Sequence, residues 1–319
     1  MKIDDIVYGE ENVEESVLVD LINSNAVQRL KGINQFGMPD KYYYRKNYSR
    51  YEHSIGVFIL LRRLKGNLME QIAGLLHDIS HTAFSHVIDR VLGDPTKEDY
   101  QDTIHKQIIE SSNIPVILGR FNISPVQISN PENFSLLERE APSLCADRVD
   151  YTLREISQTG DAHHFFLDLI NKNGQICFKS REIGEEFANI YMNLQKGHWA
   201  GDEARIRYQI LGGVLKSALE KQIISMEDLR ETDQEVINLL IQSRDTEILD
   251  GLNLLERGFE IVPSEQGIEA KKKFRYIDPE ILVNGSYQKL SELSSRYAYL
   301  LLQAKKDSKL IKKVKIIPN

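Results

Sequence analysis

The stretch Ala73-Gly74-Leu75-Leu76-His77-Asp78-Ile79-Ser80-His81 begins as an apolar helix and ends on three side chains capable of metal or proton chemistry. A buried helix does not normally carry such a cluster, because each buried polar group needs its own partner. On an ideal helix His77 and Asp78 point about 100° apart, so they share one ion only at a helix end or over the seam between them. Imidazole with carboxylate suits a divalent Mn, Fe, Zn or Ni ion, and the ligand types do not choose among these. Two further ligands are needed. His53, which precedes the apolar run Ser54–Leu64, and Asp147, inside the helical pattern Ser143–Ile156, are polar groups embedded in apolar periodicity. Any one of the four alone reads as a satisfied core polar group, whereas the adjacent pair with His53 and Asp147 reads as a metal site.

Of the eight histidines, five (His53, His77, His81, His86 and His105) fall between residues 53 and 105, which marks the same region. Outward from it, apolar positions recur at helical spacing in Val17–Leu30, Leu68–Leu76, Phe84–Leu92, Ile104–Ile109, Ile183–Leu194, Glu203–Leu219 and Met226–Glu247. Strand-like runs are short: Gln175–Phe178 after the turn Asn173-Gly174, then Phe259–Val262 and Phe274–Ile277. The pattern predicts a mostly α fold with small β-hairpins. A helical core over 1–224 is expected to be followed by a smaller α+β region over 225–319, with a helix near Leu290–Gln303.

A chain of 319 residues with 41% hydrophobic content can bury a full core. Its net charge of −7 gives no overall footprint for nucleic acid, and Lys271-Lys272-Lys273 with Lys312, Lys313 and Lys315 read as solvated surface. Two cysteines and the acidic start Met1-Lys2-Ile3-Asp4-Asp5 predict neither disulfides nor export. No run approaches the roughly 20 apolar residues of a membrane span. A soluble, cytoplasmic protein is expected.

Four stretches carry a further signal: Arg29-Leu30 with Ile33-Asn34-Gln35-Phe36-Gly37, Arg50-Tyr51-Glu52-His53-Ser54-Ile55-Gly56-Val57, Ala73 to His86, and Ala146-Asp147-Arg148-Val149-Asp150-Tyr151. In this order the sequence resembles the HD-domain superfamily of metal-dependent phosphohydrolases, in particular its deoxynucleoside triphosphate triphosphohydrolase-like branch. Arg205–Tyr208 and Tyr276-Ile277-Asp278-Pro279 are similar to the same branch, so the resemblance covers most of the chain. It implies an HD-domain helical core in which His53, His77, Asp78 and Asp147 hold one divalent ion, with Mg added to the candidates above.

The resemblance also implies that His86 sits beside the reacting phosphate with Asp89 and His105 behind it. It places Gln35 and Tyr151 at the sugar, Glu155 where relatives usually carry aspartate, and Arg205 and Tyr208 on the substrate side. Read from the residues alone, His86 and Asp89 share a helix face, so the carboxylate can fix the imidazole for proton transfer. Arg50 and Arg148 adjoin ligands in sequence and can grip a phosphate with their guanidinium forks. His81, one turn beyond His77, is either a phosphate contact or structural. His163, His164 and His198 read as structural. The family's oligomers imply a homo-oligomer here, with the region after Ile224 a candidate for its interface or for an effector nucleotide.

Some positions depart from the family pattern. Its His-Glu pair reads His105-Lys106, the segment before Tyr208 keeps Arg205 and Arg207 without the histidine relatives place there, and the arginine gripping the terminal phosphate has no counterpart. The expected reaction is hydrolysis of a deoxynucleoside triphosphate to nucleoside and tripolyphosphate. The departures leave open a phosphomonoesterase or phosphodiesterase acting on another nucleotide, and a nucleotide-sensing module with a binding-only metal site. His86 and Asp89 weigh against the sensor, which needs no positioned proton donor. A nuclease would rest on the lysine runs.

Overall fold

Polar caps cut the helical patterns into their observed lengths in the computed structural model, which describes residues 1–269, 273–310 and 313–319. Lys271, Lys272 and Lys312 of the basic runs lie outside the described residues. A hairpin of β1 (Lys2–Asp5) and β2 (Gly9–Asn12) leads to α1 (Ser16–Ile22) and α2 (Asn25–Arg29). One helix is predicted over Val17–Leu30, but the Ser24 hydroxyl accepts the Val27 amide and starts α2 afresh. α3 (Arg50–Arg63) begins at a capping box of Ser49 and Glu52, and α4 (Leu68–Leu76) begins on Asn67.

The predicted helix Phe84–Leu92 is instead a 3₁₀ turn over Ser85–Arg90. Phe84 and Ser85 enter it in the left-handed region, with φ of 65° and 46°. Two contacts hold them there. The Phe84 amide donates to Asp233 Oδ1 at 2.7 Å, and Gly37 presses on the Phe84 carbonyl so closely that a Cβ would come to 2.9 Å.

α5 (Tyr100–Ser111), α6 (Ile114–Gly119), α7 (Ala146–Ser157) and α8 (His163–Asp168) follow. β3 (Leu169–Lys172) and β4 (Gln175–Phe178) are joined through Asn173 and Gly174, both at positive φ, as a two-residue hairpin loop requires. α9 (Arg181–Leu194) runs through a π turn at Gln195–Trp199 toward α10 (Asp202–Glu220). The pattern Met226–Glu247 is split by fresh caps at Thr232 and Asp245 into α11 (Asp233–Gln242) and α12 (Thr246–Arg257).

β5 (Phe259–Glu269), β6 (Glu280–Val283), β7 (Ser286–Lys289), α13 (Leu290–Leu293), α14 (Ser295–Asp307) and β8 (Lys313–Pro318) complete the chain. The predicted strand Phe274–Ile277 is irregular, and the strand lies just beyond it in β6. Its backbone bonds go elsewhere: the Ile277 carbonyl accepts from Tyr297 Oη and the Asp278 amide donates to the Pro142 carbonyl. Pro279 then has no N–H to give a ladder.

The sheet order is β3-β4-β6-β7, with β4 and β6 parallel, while β5 and β8 form a separate antiparallel ladder. One buried cluster includes Leu18, Phe58, Leu75, Leu153, Phe187 and Tyr191; a second joins Met38, Phe84, Val87 and Leu215 to Val236, Leu240 and Phe259. Residues on both sides of position 224 thus share the second core. Each fully buried Leu or Phe contributes about 1.5–3 kcal/mol, so these clusters fix the helices that carry the site. No helix among the described residues is long and apolar enough to cross a membrane.

Candidate active site

Three packed helices bring the predicted ligands together. His77 caps the C-terminal end of α4 with Asp78 just beyond, His53 lies near the start of α3, and Asp147 is in the first turn of α7. The Nε2 of His77 lies 3.2 Å from that of His53, 3.4 Å from Asp78 Oδ1 and 3.8 Å from Asp147 Oδ1. His53 Nε2 is 3.0 Å from Asp147 Oδ1 and 3.8 Å from Asp78 Oδ2. His77 Nδ1 faces the Gly74 carbonyl at 2.7 Å and must donate to it, and His53 Nδ1 faces Asp150 Oδ2 at 2.7 Å. Both Nε2 atoms are therefore turned toward two carboxylates, and each becomes a lone-pair donor once a cation displaces any proton it carries. That donor set, at the negative end of a helix dipole, fits a divalent cation.

The charges agree with this. Burial works against ionised Asp78, yet Arg50, His77 and His81 outweigh it and hold its carboxyl well below the usual range. Burial likewise opposes a charged His53, but Asp147 and Asp150 hold the ring up to about 9. Asp150 is a site residue that the sequence reading did not single out. Besides His53 it accepts Arg154 Nε at 2.8 Å and Tyr8 Oη at 2.9 Å, and Arg154 in turn meets Asp5 at 2.7 Å. A Cβ at Gly56 would come within 2.0 Å of both Asp150 and Arg154, so glycine there lets α7 close on α3. The available signal is its spacing: Asp150 follows Asp147 by three residues and shares its helix face.

A second chain of polar groups leaves the cluster. His81 Nε2 lies 3.3 Å from Asp78 Oδ1, and its ring meets His86 edge-on with centroids 4.9 Å apart. His86 Nδ1 is 3.3 Å from Asp89 Oδ2, a contact the 3₁₀ turn favours because i and i+3 eclipse. Asp89 is itself fixed by the Tyr100 amide at 3.0 Å. Arg50 spans the two chains, with Nη1 2.6 Å from Asp78 Oδ2 and Nε donating to Ser85 Oγ at 2.8 Å. His105 is bonded to Ser80 Oγ at 3.0 Å, so it backs the loop after Asp78 rather than His86. Burial, with His77 adding to it, drives His105 down to about 4, which keeps its ring neutral at pH 7.

Residues 50–121 match the HD domain family model. The chain is 41% identical to the uncharacterized protein YdhJ of Bacillus subtilis over 304 residues, 93% of each protein. It is 33% identical to the metal-dependent phosphohydrolase cns2 of Cordyceps militaris over 300 residues, covering 90% of this chain and 86% of that one. The chain belongs to the HD-domain metal-dependent phosphohydrolases. More distantly, 59% of it aligns at 25% identity with 39% of the human deoxynucleoside triphosphate triphosphohydrolase SAMHD1.

Around the metal centre of this HD-domain phosphohydrolase lie the residues expected on the substrate side. Tyr151 stands with its ring centroid 6.4 Å from that of His53, bonds Tyr191 Oη at 2.6 Å and packs edge-on against Trp199. Gln35 has a buried Oε1 with no hydrogen-bond partner among the described residues, as does Arg205 at Nε. Arg205 Nη1 lies 3.5 Å from Asp202, and the Arg90 guanidinium sits over the Tyr208 ring at 5.4 Å. Other expected contacts are taken up by the protein. Arg148 pairs with Glu138 at 2.9 Å, and Glu155 accepts Trp199 Nε1 at 2.7 Å and lies 2.8 Å from His198 Nδ1. His198, close also to Tyr43 Oη at 3.0 Å, is built into this wall.

Proposed function

We propose that the protein hydrolyses the phosphate ester of a nucleotide, and that its reaction is deoxynucleoside triphosphate plus water giving nucleoside and tripolyphosphate. The observation that carries this reading is the continuous chain from the His53, His77, Asp78 and Asp147 donors through His81 to His86 and Asp89. A divalent ion would be held by those four residues, where it would offset charge on phosphate oxygens and make water a better nucleophile. Arg50 orients the phosphate through its fork. Asp89 takes the Nδ1 proton of His86 in a hydrogen bond, which leaves Nε2 to exchange a proton. As the water oxygen bonds to the α-phosphorus and the P–O5′ bond breaks, protonated His86 delivers its proton to the departing 5′ oxygen, and the proton released by the attacking water passes to solvent, from which His86 is reprotonated. Tyr151 and the unpartnered Oε1 of Gln35 receive the sugar. Residues 1–224 carry this machinery, and 225–319 serve a homo-oligomer interface or an effector nucleotide.

Phosphomonoester hydrolysis is the second reading, favoured by the commitment of Arg148 to Glu138 and of Glu155 to Trp199 and His198. Turnover of deoxynucleoside tri-, mono- and cyclic phosphates in Mn²⁺ or Mg²⁺, with and without GTP, separates the readings by chromatography. Nucleoside with tripolyphosphate is expected. Phosphate released from monophosphates alone installs the second reading, and metal binding without any turnover points to a sensor.

Two predictions concern the ion. Asp150→Asn is expected to weaken metal binding by about 10- to 100-fold, the scale for removing a carboxylate that orients a ligating histidine. Competition against a chelator measures it, and unchanged affinity would remove Asp150 from the site. Because His53 of the metal-free protein keeps its proton up to about 9, metal binding at neutral pH must displace it. Apparent affinity should rise about tenfold per pH unit as far as pH 9. A flat profile between pH 6 and 9 contradicts this. By linkage, the raised pKa stabilises the metal-free fold fully below 6.5, and that stability is lost as pH rises through about 9.

A further inference from the structure

Residues 229–233, which lead into α11, are bonded to the loop after Asp78 at two places and linked to it through Arg29 at a third. The Leu229 carbonyl accepts the Ala83 amide at 2.8 Å, and Asp233 Oδ1 accepts the Phe84 amide at 2.7 Å. Between them, Arg29 donates from Nη1 to the Glu231 carbonyl at 3.2 Å and from Nη2 to the Ile79 and His81 carbonyls at 3.1 and 2.5 Å. Residues 79–84 separate the predicted ligand Asp78 from the turn that presents His86. A strap from the C-terminal region therefore runs along the loop that joins the metal cluster to the proton donor.

Asp233 is not needed as the cap of α11. Thr232 has that place, its hydroxyl accepting the Glu235 amide. The second oxygen of Asp233 instead accepts the backbone amide and the Nδ2 of Asn34, both at 2.8 Å. The Asn34 carbonyl accepts Ser85 Oγ at 2.9 Å, Ser85 Oγ accepts Arg50 Nε, and Arg50 Nη1 meets Asp78. One buried carboxylate thus sets three groups in register: the loop of Asn34 and Gln35, the left-handed pair Phe84 and Ser85 before His86, and, through Ser85, the guanidinium on a predicted metal ligand. Residues other than glycine hold a positive φ only where their surroundings fix it. Burial pushes the Asp233 carboxyl up to about 6, and the three N–H donors and Arg29 work against that, so it is a carboxylate at neutral pH. Both of its oxygens accept, which an amide cannot reproduce because its nitrogen only donates.

We infer that Asp233 is a positioning residue for the reaction: from the strap 229–233 it holds His86 and Arg50 in the arrangement that proton transfer and phosphate binding require, and it is the route by which the C-terminal region acts on the site. The catalytic use of His86 rests on the function proposed above, whereas the hold on its turn does not.

The test compares Asp233→Asn with Thr232→Ala, which removes the cap hydroxyl of α11 but leaves the bonds of Asp233 in place. Both are made in the full chain, labelled with [15N]histidine and held in Mg²⁺, and the ring signals of His86 are those lost in His86→Ala. In Asp233→Asn these signals are expected to move toward the average of a ring exchanging freely between tautomers, and in Thr232→Ala to stay within the linewidth of wild type. Asp233→Asn should keep its metal while kcat falls by as much as about 100-fold, the scale for a reacting group misplaced by about 1 Å. Thr232→Ala should turn over at the wild-type rate. Asp233→Ser, whose hydroxyl can accept from Phe84 or from Asn34 but not hold both, serves if the asparagine variant fails to fold. Unmoved His86 signals in the Asp233 variant, equal movement in Thr232→Ala, or undiminished kcat in the Asp233 variant overturns the inference. No deoxynucleoside triphosphate turnover by wild type sinks the proposed reaction instead, and the His86 signals then decide the inference alone.

Discussion

Replacing His77 or Asp78 by alanine is expected to give a protein that holds no metal and turns over no substrate above background, a larger loss than the about 10- to 100-fold of an outer carboxylate. The two variants should differ in stability. His77→Ala removes an imidazole whose Nε2 is 3.2 Å from His53 and 3.4 Å from Asp78, but leaves the Arg50–Asp78 pair intact. Asp78→Ala strips the partner from Arg50, which is only 4% exposed at its side chain, and breaking a buried pair of this kind costs about 3–5 kcal/mol. Elemental analysis of the purified variants and thermal unfolding together check both statements. Metal retained at wild-type content in His77→Ala would remove it from the ligand set. Equal unfolding temperatures for the two variants would mean that Arg50 finds another partner.

The same residues show what the sequence made legible and why. His53, His77, Asp78 and Asp147 could be read because each is a polar group where apolar periodicity expects a core side chain, and the helices then carry all four to one point. Asp150 escaped because its partner is supplied by another helix: nothing near it in the chain announces that His53 Nδ1 lies 2.7 Å away. His105 shows the converse: its place in an ordered motif suggested His86, and the contact the fold gives its Nδ1 is the Ser80 hydroxyl.

Where local signals decided an element, prediction and structure agree closely, as for Leu68–Leu76 and for Gln175–Phe178 after its Asn-Gly turn. Where a distant group decided it, they part. The 3₁₀ turn that presents His86 depends on Asp233 accepting the Phe84 amide from 149 residues away. The segment Phe274–Ile277 has strand composition, yet Arg275 is drawn inward to Glu98 and its neighbours bond to Tyr297 and Pro142. Both cases are tertiary contacts overriding local propensity.

His86→Ala separates proton transfer from metal binding. His86 lies beyond His81 from the ligand cluster, so the variant is expected to keep its metal while turnover falls by about 10²- to 10⁴-fold, the usual range for a lost general acid. The leaving group makes the test specific. A departing 5′ oxygen of a nucleoside is strongly basic and needs its proton as the bond breaks, whereas p-nitrophenolate leaves without one. On thymidine 5′-p-nitrophenyl phosphate the same substitution should therefore cost much less than on a deoxynucleoside triphosphate. Equal losses on both substrates would make His86 a group that positions phosphate rather than one that protonates it, and undiminished turnover on the triphosphate would remove it from the mechanism altogether. Asp89→Asn provides the graded control. The amide still fills the space beneath the imidazole but can offer its N–H to Nδ1, which favours the tautomer with the proton on Nε2 and removes the carboxylate's support for an imidazolium. A loss smaller than that of His86→Ala, and again reduced with the p-nitrophenyl ester, is the result that a His86–Asp89 proton donor requires.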